Sequence, residues 1–168
     1  EGLTLNGEPF WFRGANRMQD YPYVGYAAPD AMQAHDAALL KDAGFDYVRT
    51  ASYPQDPAFL DACDELGLLV MAPIPGFQFV GDASFVAQSH DDMRQLIRRD
   101  RNRPSVIAWE LSLNETDFDA QFAMDAVAIG HEECPHDDCY VSGWTHDEVY
   151  DIFIATPTAG ARSYAGPK

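Results

Sequence analysis

The chain has 168 residues, 46% of them hydrophobic and 12% aromatic, enough for one packed domain with a sizeable core. Its formal net charge of -16 argues against nucleic acid and anionic membranes as partners, since both are bound through clustered Lys and Arg. It lacks the run of about 18 apolar residues from which a membrane-spanning helix is built.

Strand and helix signals alternate along the chain. Gly2 to Glu8 reads as a hairpin turning at Asn6-Gly7, which makes residues 1–9 a lead-in to the body of the chain at 10–168. Phe10 to Asn16, a short apolar run ending in polar residues, is the first strand. From Asp30 to Ala43 the period is helical, with Met32, Leu39 and Leu40 on one face and Gly44 just past the end. Phe45 to Thr50 reads as a buried strand. Asp56-Pro57 opens the next helix, Asp as cap and Pro in the first turn. Phe59, Leu60, Cys63 and Leu66 form its inner stripe, and Gly67 ends it. Leu68 to Ala72 is apolar without alternation, as a strand covered on both faces requires. A long loop from Pro73 to about Gln88 precedes a helix expected to start at Ser89, with Met93, Leu96 and Ile97 inward and its end near Asn102. Val106 to Leu111 is the fourth strand. A helix from about Asp119 carries Phe122, Met124, Val127 and Ile129 and stops at Gly130. Tyr140 to Trp144 and Ile152 to Ala155 complete a set of six strands.

Strand-helix units of roughly 25 to 35 residues indicate a parallel α/β domain. A doubly wound nucleotide-binding sheet carries a Gly-rich turn after its first strand, and Gly14-Ala15-Asn16-Arg17 is not one. Polar residues recur instead just after several strands: Asn16, Arg49, Gln78, Asn114-Glu115, with Trp144 after the fifth. A TIM (β/α)8 barrel builds its site there. The expected fold is therefore an α/β barrel of that type, incomplete, with six of the eight strands. Such a barrel needs about 250 residues, so the chain is expected to be a piece of a larger protein.

Arg101 to Glu115 is the stretch richest in chemistry. A basic helix end passes through Pro104 into an apolar strand, and Asn114-Glu115 follows. Hydrolysis of a glycosidic bond needs a protonated carboxyl beside the leaving oxygen and a second carboxylate opposite it. The proton donor needs surroundings that raise its pKa, and Glu115, beyond a Val-Ile-Ala-Trp strand, is placed to have them. Asn114 beside it can hydrogen-bond a sugar hydroxyl. The plainer alternative for the pair is a helix cap, aided by Thr116 and Asp117. Trp144 and Phe77 are candidate sugar-stacking rings, with core packing as the alternative, while Trp109 inside its strand is expected in the core.

Cys63 falls on an apolar helix face and is expected in the core. Cys134 and Cys139 flank Pro135-His136-Asp137-Asp138 and are either a small-loop disulfide or free thiols. His131 and His136 are five apart with Pro135 between them, which breaks the zinc-protease pattern of two His four apart on one helix face. Cys134, His136 and Cys139 leave a weaker Cys/His zinc alternative, and a solvated acidic loop is the simpler reading. No metal and no cofactor is expected.

Four stretches occur in order: Leu5 to Phe10 with Arg13 to Arg17, Tyr47 to Pro57, Cys63 to Met71, and Arg101 to Glu115. Together they resemble the catalytic barrel of glycoside hydrolase family 2, the family of β-galactosidases, β-glucuronidases and β-mannosidases. The first resembles the approach to the family's first barrel strand, the second its second strand and following loop, the third the next helix and third strand, the fourth the strand that carries the acid/base Glu. The resemblance covers nearly the whole chain up to Glu115 and is looser beyond it. It implies a retaining glycosidase acting on a β-linked oligo- or polysaccharide, with flanking β-sandwich domains in the parent protein. It implies Glu115 as acid/base, Asn114 as the contact to the sugar 2-hydroxyl, and Arg49 as an Arg that helps hold the nucleophile. Asn16 at the same rim is expected to face substrate. The nucleophilic Glu belongs to the family's seventh strand and has no counterpart here, so the chain by itself is expected not to turn over glycosides. A glycan-binding barrel without the nucleophile is the alternative.

The sequence also departs from the family pattern. Asn16-Arg17-Met18 stands where Asn-Arg-His is usual, and Ala51-Ser52-Tyr53-Pro54 where Ser-His-Tyr-Pro is usual. Ala72-Pro73 replaces an acidic residue, and one extra residue separates Trp109 from Asn114. These changes remove sugar-contacting imidazoles of the β-galactosidase type and weaken the case for galactose specificity. Pro75 to Phe79 resembles a loop of the polysaccharide-degrading branch, whose members are often exported.

Overall fold

The computed structural model describes residues 3–76, 78–114, 116–136 and 139–154. It opens on an antiparallel hairpin, β1 (Thr4–Leu5) and β2 (Glu8–Pro9). Asn6 (φ 52) and Gly7 (φ 85) turn it, the left-handed pair that a type I′ turn requires. There follow β3 (Gly14–Arg17), α1 (Asp30–Asp42), β4 (Tyr47–Thr50), α2 (Pro57–Leu66), β5 (Leu69–Pro73), α3 (Ala83–Asp100), β6 (Val106–Glu110), α4 (Ala120–Glu133), β7 (Val141–Gly143) and β8 (Ile152–Phe153). Strands β3 to β8 form one six-stranded sheet in chain order, each neighbouring pair parallel. A doubly wound sheet reverses its strand order at a switch point, and this one does not. Each strand is followed by its immediate neighbour, and the helices between β3 and β7 pack on the face that buries Val48, Val70, Trp109 and Val141, which is how a (β/α) barrel winds. The fold is α/β, with six strands and four helices of an incomplete barrel among the described residues. None of these helices is long and apolar enough to cross a membrane.

Helix starts follow from local chemistry. The Asp56 carboxylate accepts a hydrogen bond from the Ala58 amide at 2.8 Å, with Pro57 in the first turn. Asp119 does the same for Phe122 at 2.8 Å. With ten residues α2 is too short to persist in water, where about 12 to 15 are needed. Burial of Phe59, Leu60 and Cys63 against Val48 and Val70 supplies the difference, at roughly 1.5–3 kcal/mol for each large side chain. A second core, built on Met93, Ile97, Trp109, Leu111, Phe122 and Val141, holds α3 and α4 to the other half of the sheet.

Several elements differ from the sequence expectations. The first barrel strand is Gly14–Arg17, not the apolar run from Phe10. Phe10 and Phe12 instead pack ring against ring (5.3 Å) and on to Tyr47 (4.7 Å), while Trp11 is 85% exposed. Helix α3 begins at Ala83, not Ser89, because Asp82 caps the amides of Ser84 and Phe85 at 3.0 and 3.1 Å. The loop expected from Pro73 to Gln88 is shortened at both ends, since β5 runs through Pro73. On α1 the buried residues are Gln33 and Ala37; Leu39 is exposed. The reason is polar: Gln33 Oε1 accepts from the buried Arg17 guanidinium at 2.7 Å. Met124 on α4 is likewise exposed, with Ala123 and Ala126 inward.

Helix α4 also runs past Gly130 to Glu133. At Gly130 the helix lies so close to β7 that a Cβ would collide with Val141, so the glycine sets the helix-to-sheet distance rather than ending the helix. Strands β7 and β8 are shorter than expected, and Ala155 lies outside the described residues. They run parallel although residues 144–151 between them form no helix. There Tyr150, buried in the outer core, lies against Gly143, where a Cβ would meet its ring.

Candidate active site

Successive side chains of a strand point to opposite faces. Val48, Trp109 and Val141 face the helices, so Arg49, Glu110 and Ser142 face the concave side. Toward the N-terminal ends of the strands this concave side is apolar and opens into a cavity of about 1150 Å³ lined by Leu5, Phe12, Tyr47 and Met71. Toward the C-terminal ends it is polar.

Arg49 is the hub of the polar end. Its Nε donates to Glu110 Oε2 at 2.7 Å, and its Nη2 donates to Glu110 Oε1 at 2.6 Å and to Asn114 Oδ1 at 3.0 Å. Its Nη1 donates to Asn16 Oδ1 at 3.4 Å, across the register that pairs Asn16 with Arg49. The Trp144 indole N–H donates to Glu110 Oε1, and its ring lies 5.2 Å from the Arg49 guanidinium, a cation–π distance. Glu110 is fully buried, with both oxygens taken. Its charge stays inside only because Arg49 is there, and removing one member of such a pair costs about 3–5 kcal/mol. On the same strand face as Arg49, Tyr47 is held well above the usual phenol range, first by burial and then by the Glu110 carboxylate. It is therefore an uncharged hydroxyl at neutral pH.

The pair fixes Asn114 in turn. Arg49 occupies the amide oxygen, so the amide nitrogen is the group Asn114 can offer as donor to a ligand. Thr116 locks the backbone here: its Oγ1 accepts from the Gln78 amide at 3.0 Å and donates to the Asn114 carbonyl at 3.4 Å. The loop after β5 is thereby tied to the loop after β6.

Of the residues expected at the site, the structure brings together Asn16, Arg49, Asn114 and Trp144. Glu115 and Phe77 lie outside the described residues, each between neighbours that are described. Glu110 was not anticipated. The available signal was an acidic residue inside an apolar strand, two positions from Ala108 and so on the concave face with Arg49. Trp109 and Cys63 are in the core as expected, and burial pushes the Cys63 thiol up to about 12. Cys134 and Cys139 are free buried thiols; burial, then hydrogen bonding to Cys134, pushes Cys139 up to about 12. His136 is exposed, and no three potential metal ligands converge among the described residues.

A sheet wound in one direction, with polar groups gathered at the C-terminal ends of its strands, defines a (β/α)-barrel domain. The chain belongs to glycoside hydrolase family 2: residues 1–139 match the Glycosyl hydrolases family 2, TIM barrel domain. It is 45% identical over 129 residues to a β-galactosidase of Thermoanaerobacter pseudethanolicus, which covers 76% of this chain and 17% of that protein. It is 44% identical over 136 residues to a β-galactosidase of Thermoanaerobacterium thermosulfurigenes, covering 80% of this chain and 19% of that one. Its fold matches the apo structure of Bacteroides uniformis β-glucuronidase 3 with a TM-score of 0.83 and 29% identity, over 95% of this chain and 22% of that one. The chain thus spans less than a fifth of the length of these two curated relatives, at 17% and 19%.

Proposed function

We propose that this chain supplies the acid/base side of the active site of a retaining β-glycosidase. Residues 1–9 act as the lead-in and 10–168 as part of the catalytic barrel. Glu115 donates its proton to the leaving glycosidic oxygen while a second carboxylate attacks the anomeric carbon. In the second half-reaction Glu115 takes a proton from the water that releases the sugar. Asn114 donates its amide hydrogen to the sugar 2-hydroxyl, a bond that strengthens as the transition state gains oxocarbenium character. Asn16, Trp144 and Phe77 line the sugar. Glu110 is not the second carboxylate, because Arg49 and Trp144 take both its oxygens and no face is open to an anomeric carbon. That carboxylate comes from elsewhere in the parent protein. The substrate is a β-linked galactoside or related oligosaccharide.

The observation that carries this reading is the 3.0 Å bond from Arg49 to Asn114, which holds the residue beside Glu115 at the barrel rim with its donor free to reach a sugar. The test is Glu115→Gln in the full-length parent, assayed on glycosides with good and poor leaving groups. The expected loss is about 10²–10⁴-fold for poor leaving groups and far smaller for activated aryl glycosides. Added azide restores turnover of the activated substrate and gives a β-glycosyl azide. Equal losses on both substrate types overturn the assignment.

A further inference from the structure

We infer that the loops after β3 and β4 form a second sugar-binding position at the barrel rim, in which the ring of Tyr26, backed by Tyr53, stacks on a pyranose unit of a neutral β-linked oligosaccharide. The inference rests on the glycosidase reading and extends it to the kind of substrate: a chain, bound beyond the bond that is cut.

Register places these loops at the site. Asn16 pairs with Arg49 and Arg17 with Thr50, so the two loops leave the sheet side by side at the end where Arg49 meets Asn114. Tyr26 and Tyr53 lie with ring centroids 5.2 Å apart and planes tilted by 39°. Tyr26 is 63% exposed, with Met18 exposed in the same loop. A large exposed ring costs hydration free energy unless something covers it, and clustered exposed rings mark binding surfaces.

The rings are fixed before any ligand arrives. The Gln19 amide donates to the Tyr53 hydroxyl at 2.8 Å, and Gln19 Nε2 donates to the Tyr26 carbonyl at 3.1 Å. Gln19 Oε1 accepts from the Asp56 amide at 2.8 Å, so one buried side chain ties both loops to the start of α2. Between Gln19 and Tyr26 the chain closes a small loop through paired Tyr21 and Gly25 backbone bonds of 3.2 and 2.9 Å. Its base is anchored by the Tyr21 hydroxyl, bonded to Asp36 at 2.5 Å and to buried Arg17 at 2.8 Å. A ring held this way loses little entropy on binding, which suits a weak stacking contact.

Charge and placement select the ligand. Asp20 is exposed in the same loop and the chain carries a net charge of -16, which favours a neutral sugar over an anionic one. The sugar proposed for the cleft lies with Asn16, Arg49 and Asn114, whereas Tyr26 packs on Tyr53 and is tied down by Gln19, so its ring is offered to a further unit of the chain. Tyrosine suits the task, with an apolar face for the C–H side of a sugar and a hydroxyl at home in water.

The test uses the full-length parent with Tyr26→Ala and Tyr26→Trp. Rates are measured on 4-nitrophenyl β-galactoside and on a β-linked galacto-oligosaccharide ladder from dimer to pentamer. Binding of the same ladder is measured separately on a glycan array with the non-hydrolysing Glu115→Gln protein, with and without Tyr26→Ala. The expected result is a loss of about 10-fold in kcat/KM and in array signal for the longer chains with Tyr26→Ala. Tyr26→Trp keeps both, and the aryl monoglycoside is unchanged. An array signal that Tyr26→Ala does not alter, or that is absent, overturns the inference, as does an equal loss on monoglycoside and pentamer. A fall of several degrees in the parent's Tm with Tyr26→Ala also overturns it, since the patch is then a contact between domains. The role of Glu115 is read from the leaving-group dependence of Glu115→Gln and this position from the chain-length dependence of Tyr26→Ala in the otherwise unaltered parent, so the two fail separately.

Discussion

Arg49 and Glu110, 61 residues apart in sequence, meet inside the sheet through two parallel bonds of 2.6 and 2.7 Å. Each strand buries the charge that the other neutralises, and the same guanidinium has a donor left for Asn114. The geometry is a fork, which Arg can form and Lys cannot.

Arg49→Ala in the parent protein leaves the Glu110 carboxylate buried without a partner and is expected to cost about 3–5 kcal/mol in urea unfolding. Arg49→Ala combined with Glu110→Gln recovers part of that loss, since no charge then stays inside. A single-variant cost below about 1 kcal/mol, the range of exposed pairs, would show that water reaches Glu110.

In the proposed mechanism Asn114 acts on the sugar 2-hydroxyl. Asn114→Ala is expected to lower kcat/KM on the natural glycoside by about 100-fold, as loss of a transition-state hydrogen bond worth several kcal/mol implies. On a 2-deoxyglycoside the same variant loses little, because the partner hydroxyl is already gone. Equal losses on both sugars would assign Asn114 a purely structural role.

Gly130→Ala sets two effects against each other. Helix propensity favours alanine by about 1 kcal/mol. The added methyl meets Val141 on β7, and overpacking of this kind costs about 1–3 kcal/mol. Packing is expected to win, with a lowered Tm. Gly130→Ala with Val141→Ala restores the space, and the double variant falls less than the sum of the two singles.

Glu133 on α4 receives two bonds from Arg98 of α3, at 2.5 and 2.8 Å, with Arg94 and Arg101 nearby and Glu132 beside it. Its carboxyl is held below the ordinary value, chiefly by the Arg98 bonds. A carboxyl lowered in the folded state stabilises the fold fully above its unfolded pKa, about 4.3, and ceases to as pH falls through the folded value. Glu133→Gln is therefore expected to lower stability at pH 7 and to make no difference in strong acid. Denaturant titrations at the two pH values check this, and an unchanged gap between variant and parent at low pH would contradict it.

The order of strands and helices was readable because its signals are local. Asp56-Pro57 caps a helix by its own chemistry, and the apolar run after Gly67 has one role available to it. Errors came where distant contacts decide. Phe10 to Phe12 carries the composition of a strand, yet its rings pack with Tyr47. Gly130 has the look of a stop and is a point of close approach, visible only once Val141 is known to lie opposite. At the site, Asn114 was legible as a polar residue after its strand, whereas Arg49, expected after its strand, lies inside β4 and reaches the same place from the concave face. Glu110 was not legible, because a charge inside an apolar strand makes sense only when the partner three-dimensional structure supplies is known to be Arg49.

The Tyr150 ring resting on Gly143 has a consequence for how such barrels vary. Where a flanking helix is missing, the outer wall need not stay bare; one aromatic plate shingles the gap, provided the strand beneath it is flat. Bulk at position 143 would pry the plate loose and wet the wall behind it.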